Sequence, residues 1–474
     1  MKKWMKNIVV YGLSLLLVVG LMSGCGKKGG AATETADGKI AISVMISGAD
    51  AAEATLMQNW KKAYEAKNEG ISIQIKNFTG DYTQAMTANV QSEKLMPDIM
   101  WTTGDTHVAW SDAGVFVNLK DMIAADSSID LGDFYEEIVN TTHKNSADDG
   151  IYFMPRDYNK CILYINKVMF REAGFSEDEI ANLKEGWDYN KFLDVCARLR
   201  KAMDENVNPD AGLRSNSVPL DARMDFNASY VSFIKHFGGD FVENGKVDFT
   251  SDKNISAYAQ IYDLIDKGYI AESGKKSSAT FTTLSAAMAV NVRPSLPSMP
   301  TTDNYDIDFL PLPLDTVGVG CSGYAITASA AKRVSESSYN KDKKSNQEYA
   351  YDFLSFIVSE EGQKIGCETG NIVPVLKSLA DDPSWHSYLS ADKNHAAFVS
   401  HPEKDFSLRL FKDFSAQDTA VLMTNMAKVM AQVIVSSNYA DTKYFGGNDT
   451  NYTVLRNAIS GFQQAVEEIK PTHE

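Results

Sequence analysis

The stretch DGIYFMPRDYNKCILYINK, running from Asp149 to Lys167, decides how the rest of the chain is read. Asp149-Gly150 opens it as a tight turn, because glycine accepts the positive φ a reversal needs. Ile151-Tyr152-Phe153-Met154 then reads as a strand. Pro155 should end it, having no N–H to give a ladder. A polar patch, Arg156-Asp157-Tyr158-Asn159-Lys160, precedes a second strand at Ile162-Leu163-Tyr164-Ile165. Two buried strands separated in this way make a poor hairpin. They make a good crossing between two lobes, with the polar side chains facing whatever lies between.

Upstream, the chain alternates strand and helix. Ile40–Ile46 is a short apolar run, and Leu56, Trp60 and Tyr64 recur at helical spacing after the Ser47–Asp50 loop. Ile71–Ile75 reads as the next strand, then comes a helix from about Tyr82 to Ser92, then Pro97-Asp98-Ile99-Met100-Trp101. Such alternation predicts a mainly parallel sheet covered on both faces. Ligands of these sheets sit beyond the carboxyl ends of the strands. The loops Ser47–Asp50, Thr79–Tyr82 and Trp101–His107 are therefore the ones expected to face a ligand, with Asp50, Asp81, Tyr82, Trp101 and Asp105 as candidate contacts.

The beginning of the chain carries a different signal. Lys2, Lys3 and Lys6 precede an apolar run from Ile8 to Met22, and small residues lead into Cys25. That is the layout of an export signal. The run is short for a membrane span, which needs about 20 apolar residues. Leu21-Met22-Ser23-Gly24-Cys25 resembles a bacterial lipobox, with methionine where leucine is usual; the resemblance implies a lipid anchor on Cys25. The small, polar stretch that follows reads as a tether. The formal net charge is −16, and without residues 1–24 it becomes −19, which argues against nucleic acid as a partner. Cys161, Cys196, Cys321 and Cys367 lie at long, irregular spacings without a zinc or redox motif, and buried free thiols are favoured over disulfides.

The passage from Asp149 resembles the hinge signature of the extracellular solute-binding proteins of ABC sugar importers. In that family a strand ending in proline runs through variable residues into Tyr-x-Asn-Lys and then an Ala-Gly pair, here Tyr164 to Lys167 and Ala173-Gly174. Further landmarks follow in family order: Pro97-Asp98-Ile99, Asp112–Leu119, Trp187-Asp188, Gly238-Gly239 with a small hairpin to Phe249, Ile307–Pro313, and Glu361-Gly362-Gln363 with Gly370–Val375. Gly318–Gly323 satisfies G-x-G-x-x-G, yet a strand follows it at Tyr324, whereas a dinucleotide site needs a helix there.

The resemblance implies a two-lobe α/β fold, each lobe a mainly parallel sheet flanked by helices, with a ligand cleft between the lobes. Its implied layout is residues 1–24 as signal peptide, 25–38 as flexible tether, 39–156 with 315–372 as the first lobe, and 157–312 with 375–474 as the second. Crossings are expected near Pro155–Asn159, Pro311–Asp315 and Ile372–Val375. Carried over by position, Asp105 matches a sugar-contacting aspartate of maltose-binding proteins, while Thr102 and Thr106 replace a tryptophan and an arginine; Asn159 stands for a glutamate. Arg293 lies near a ligand tryptophan, Phe411 near a late aromatic contact, and Asp157, Tyr158, Asp225 and Tyr324 complete the set expected at the cleft.

The implied function is capture of a carbohydrate and delivery to ABC permease subunits by a monomeric, extracytoplasmic protein tied to the membrane of a bacterium. No cofactor, metal or nucleic acid is expected. The seven histidines are scattered, without H-E-x-x-H, and no G-x-S-x-G elbow appears. Alternatives are an exported carbohydrate-active lipoprotein enzyme, a peptide- or polyamine-binding protein, and an adhesin or sensory adaptor on the same fold.

Overall fold

The computed structural model describes residues 32–47, 51–78, 82, 86, 95–271, 280–387, 392–434 and 452–472. The signal segment, Cys25, Asp50 and Asp81 lie outside these residues.

Apolar alternation builds the first lobe. Strands β1 (Ile40–Ser47), β2 (Ile71–Phe78) and β3 (Ile99–Thr103) pair in parallel, β1 in the middle. The helix Ala51–Lys67 connects β1 to β2 and buries Leu56, Met57, Trp60 and Tyr64 on one face. Asp98 fixes the start of β3. It is sealed from solvent, accepts from Ser43 N and Oγ at 2.8 Å, and pairs with Arg333 at 2.8 Å.

Two further strands complete the sheet, β13 (Ser322–Ile326) and β4 (Met154–Pro155), in the order β2-β1-β3-β13-β4. Both pairings are antiparallel, because these strands are delivered from the hinge and not by a strand–helix–strand crossover. The expected strand Ile151–Met154 is mostly absent: Met154 pairs, together with Pro155. Proline is tolerated there because β4 is the edge strand. Gly323 lets β4 approach; a Cβ at that position would lie 2.1 Å from Met154 O.

The second lobe is built on β6 (Ile162–Asn166), β7 (Val218–Asp221), β10 (Ala286–Asn291) and β11 (Ile307–Pro311), ordered β11-β6-β10-β7. Only the β10–β7 pairing is parallel, so the mainly parallel sheet expected from the sequence is mixed here too. The helices Tyr189–Asp204, Asn227–His236 and Asp252–Asp266 supply its core, as do Ala416–Ile434 and Thr453–Gln464 from the end of the chain. Trp187 packs there, its indole N–H donating to Pro311 O at 3.0 Å.

Strands β8 (Val242–Glu243) and β9 (Lys246–Val247) pair separately as an antiparallel hairpin. A further small sheet joins the lobes. In it β12 (Val317–Gly320) lies between β5 (Asn159–Lys160) and β14 (Asp405–Ser407). The polar patch read as a connection is thus partly a strand. The third crossing runs beside the first, Tyr158 N donating to Val373 O at 3.1 Å. Gln363 binds the two together: its amide donates to Arg156 O at 3.2 Å and accepts from Val375 N at 2.9 Å.

Part of the stretch expected as a tether is described, at residues 32–38. Ala41 N donates to Thr33 O at 3.0 Å and Gly38 N to Thr35 O at 3.0 Å, folding Thr33–Gly38 back onto β1. All four described cysteines are buried free thiols.

Candidate functional site

Between the two lobes lies a cavity of about 310 Å³. The first lobe contributes Ser47 and Glu53, at the end of β1 and the start of the following helix, and Trp101 and Thr103 from β3. The hinge contributes Arg156, Asp157, Asn159 and the turn Gly320–Ser322. Facing them from the second lobe are Phe226, Ala228, Val292 and Pro294. The end of β1, the first turn of the helix after it and the end of β3 thus border the gap, as open α/β sheets dictate.

The wall carries a buried charge network. Arg156 Nη1 lies 2.5 Å from Glu53 Oε2, and Arg156 Nη2 lies 3.6 Å from Asp157 Oδ2. Arg156 Nε donates to Ser322 Oγ at 2.9 Å. Asp157 accepts from Ser322 N at 2.8 Å and from its hydroxyl at 3.1 Å. The Tyr324 hydroxyl donates to the other Glu53 oxygen. Burial raises the Asp157 carboxyl, and Arg156 and Ser322 oppose the shift. Burial, and then the Glu53 charge, raise the Tyr324 phenol well above its ordinary value, so it remains a donor. Charges taken out of water need such pairing. Glu53, Arg156 and Asp157 are thereby held in place along the wall.

Two neutral groups beside the network are buried and unpaired. Among the described residues, the buried Trp101 indole N–H and the buried Asn159 side-chain oxygen have no hydrogen-bond partner. One is a donor and the other an acceptor, and both residues line the cavity. A ligand hydroxyl can serve either. An unpaired buried polar group costs about 1–3 kcal/mol, so a ligand that engages them recovers that cost.

The structure sorts the residues expected from the sequence. Trp101, Asp157 and Asn159 line the cavity. Tyr82 stands behind it: its hydroxyl donates to Met45 O at 3.2 Å and Trp101 O at 3.0 Å, and its ring meets Trp101 edge-on at 5.5 Å. Tyr324 is sealed and acts on the wall through Glu53. Asp105 is exposed and borders a separate crevice of about 40 Å³ with Leu408, Arg409 and Phe411.

Like Tyr82, Tyr324 and Asp105, four further expected contacts do not border the 310 Å³ cavity. Tyr158 is fully buried, stacks on Tyr135 at 4.0 Å and donates to Asp405, because its backbone is already committed to the third crossing. Arg293 is 1% exposed; Nε donates to Gly370 O at 3.0 Å, and the guanidinium lies over Phe398 at 4.7 Å and Trp385 at 5.3 Å. Its neighbours Val292 and Pro294 face the gap instead. Phe411 belongs to the second core, edge-on to Phe414 at 6.0 Å. Asp225 is exposed, and Phe226 next to it forms the wall.

Glu53, Arg156 and Phe226 are among the wall residues that the candidate set left out. One signal was present: Glu53 precedes Leu56, Trp60 and Tyr64 on their own buried face, and a carboxylate on an apolar stripe implies a partner.

Comparison with known proteins adds independent observations. Residues 59–393 match the family model for bacterial extracellular solute-binding proteins. Among curated proteins, none matches the sequence. Among solved structures, the chain is similar to the ABC substrate-binding protein Lmo0181 from Listeria monocytogenes in complex with cycloalternan, at 14% identity and a TM-score of 0.65, covering 90% of this chain and 98% of that one. It is similar to the GacH receptor of Streptomyces glaucescens, solved unliganded and with acarbose, at 17% identity and a TM-score of 0.64 over 91% of this chain and 98% of that one. It is also similar to UgpB from Mycobacterium tuberculosis in complex with glycerophosphocholine, at 17% identity and a TM-score of 0.64 over 89% and 98%. At such identities the likeness shows a shared fold.

Proposed function

The chain belongs to the bacterial extracellular solute-binding proteins, and from that premise we propose that it captures a carbohydrate, an oligosaccharide in particular, in the gap between its lobes. The lobes close on the ligand by bending at the three crossings, a motion known for periplasmic binding proteins as a class. Closure is favoured only as far as the ligand binds the closed form better, by touching both lobes. The closed form then presents the sugar, unaltered, to ABC permease subunits, while a lipid on Cys25 keeps the protein at the outer face of the membrane.

One observation carries this reading. The cavity offers aromatic rings from opposite lobes, Trp101 and Phe226, together with one unpaired neutral donor and one unpaired neutral acceptor, while its guanidinium is already paired within the wall. Sugar hydroxyls suit the polar atoms and sugar C–H faces suit the rings. A second reading has its own support. Glu53 and Asp157 against Arg156 alone leave the wall one negative charge in excess, which would suit a cationic headgroup.

Calorimetric titration of the purified chain with neutral oligosaccharides and with glycerophosphocholine separates these readings. The first predicts sub-micromolar to micromolar sugar binding with the sugar recovered intact. Binding of glycerophosphocholine alone would establish the second, and release of sugar fragments would establish an enzyme.

A further inference from the structure

Phe226 reaches the cavity wall from an unusual turn. Arg223, three residues earlier, has a φ of 46°, in the left-handed region that a long side chain rarely adopts. The turn is closed by Phe226 N donating to Arg223 O at 2.9 Å and by Arg223 N donating to Asp221 Oδ1 at 3.3 Å. This backbone folds the Arg223 side chain back over its neighbour, placing the guanidinium 4.8 Å from the centre of the Phe226 ring. Arg223 Nη1 also donates to Asn291 Oδ1 at 3.3 Å. Asn291 is itself fixed, accepting from Ser295 Oγ at 2.6 Å and from Val292 N at 3.0 Å.

Glycine would hold this turn without strain, and arginine stands there instead. A strained residue persists when the surroundings over-determine it, and such residues cluster at ligand sites. Arg223 does not border the cavity, whereas Phe226 does. The guanidinium therefore covers the ring and leaves the rest of the phenyl group for the gap. On the other lobe Trp101 is likewise supported from behind, by Tyr82.

We propose that Phe226 is the platform of the second lobe, receiving the apolar face of a sugar ring, and that Arg223 is the residue that positions it. The inference rests on the carbohydrate reading for the identity of the ligand, but not for the role of Arg223. A ring held by a cation and an anchored hydrogen bond is ready before the ligand arrives, so binding loses less rotamer freedom.

The test uses the full chain in three variants, Arg223→Gly, Arg223→Lys and Phe226→Ala. Ring-flip rates of labelled phenylalanine, with the Phe226 signal assigned through Phe226→Ala, are read without ligand. Arg223→Gly should speed Phe226 flipping at least tenfold while raising the melting temperature, since glycine relieves the backbone. Arg223→Lys, which retains a cation, should restore part of the slowing. In titration with maltotetraose, Arg223→Gly and Phe226→Ala should each weaken binding about tenfold or more. An unchanged flip rate in Arg223→Gly overturns the positioning role whatever the ligand is. Maltotetraose bound equally well by Phe226→Ala and the unaltered chain overturns the platform.

Discussion

Arg156 and Glu53 meet at 2.5 Å with side chains only 6% and 4% exposed, joining the first hinge crossing to the helix that opens the first lobe. Because both charges have left water, each relies on the other as its nearest opposite charge. Glu53→Ala should lower the unfolding free energy by about 3–5 kcal/mol, the usual cost of stranding one member of a buried pair. The double replacement Glu53→Met with Arg156→Met should cost far less than the two single changes together. Urea unfolding of Glu53→Ala, of Glu53→Met and Arg156→Met singly, and of their double checks this, and additivity of the two methionine effects would show that the pair is not coupled.

Gln363 acts on the other side of the same crossing. It donates to Arg156 O at 3.2 Å and Ile357 O at 3.1 Å and accepts from Val375 N at 2.9 Å. Gln363→Leu keeps the bulk and leaves three buried backbone groups without that partner, at about 1–3 kcal/mol for each one not re-satisfied. Two crossings are released from each other as well. Small-angle scattering of the ligand-free variant should therefore show a broader spread of interlobe distances than the unaltered chain does.

Acid should weaken the fold through His107. The ring is fully buried against Tyr152 and Phe153 and bonded to Ser111 and Thr141. Burial, and then the Arg409 charge, lower its pKa to about 3. The unfolded chain takes up this proton near pH 6.5 and the folded chain does not, so the unfolded state binds more protons between those values. The contribution of His107 is complete above about pH 6.5 and falls by about 1.4 kcal/mol per unit as pH drops toward 3. His236 and His386 are lowered by burial too and act in the same sense. Unfolding followed from pH 7.5 to 5 should show this slope, and His107→Gln should flatten it.

The sequence announces the crossings and hides the cavity wall, for physical reasons. Pro155, Gly323 and Gly362 at the start of the helix Glu360–Cys367 are legible because few residue types satisfy their backbone roles. The run Gly318–Gly323, from β12 into β13, illustrates this: a Cβ on Gly318 would meet Leu408 at 2.5 Å, and one on Gly323 would meet Met154 O at 2.1 Å. A side chain's direction is far less constrained. Arg293 and Tyr158 carry the right chemistry for a sugar site, yet each is drawn inward by partners more than 75 residues away in the chain, Gly370 and Asp405. Phe226 faces the gap only because Arg223 adopts a left-handed turn that no residue pattern announces.

Glycine replacements should divide by their surroundings. Gly323→Ala sets a methyl group against the Met154 carbonyl, which is backbone and cannot swing aside. The edge strand must separate, and a loss on the order of 3 kcal/mol or failure to fold is expected. Gly461, inside the helix Thr453–Gln464, has nothing within 4 Å of an added Cβ. Gly461→Ala should gain up to about 1 kcal/mol from helix propensity alone. Parallel thermal melts give the two signs.

Trp101→Phe separates recognition from stability. The indole N–H is buried without a partner among the described residues, so the ligand-free protein already bears the cost of leaving it unmade. Deleting it while keeping an aromatic face should leave the melting temperature unchanged or slightly higher. If a ligand hydroxyl accepts from that N–H, the same change should weaken binding by about 1–3 kcal/mol, roughly 5- to 150-fold. Calorimetry with the sugar that binds best, set beside the melts, reads both quantities on one sample. Equal loss in stability and affinity would instead make Trp101 a packing residue of the first lobe, and the ligand would have to be held by Asn159 and the second lobe.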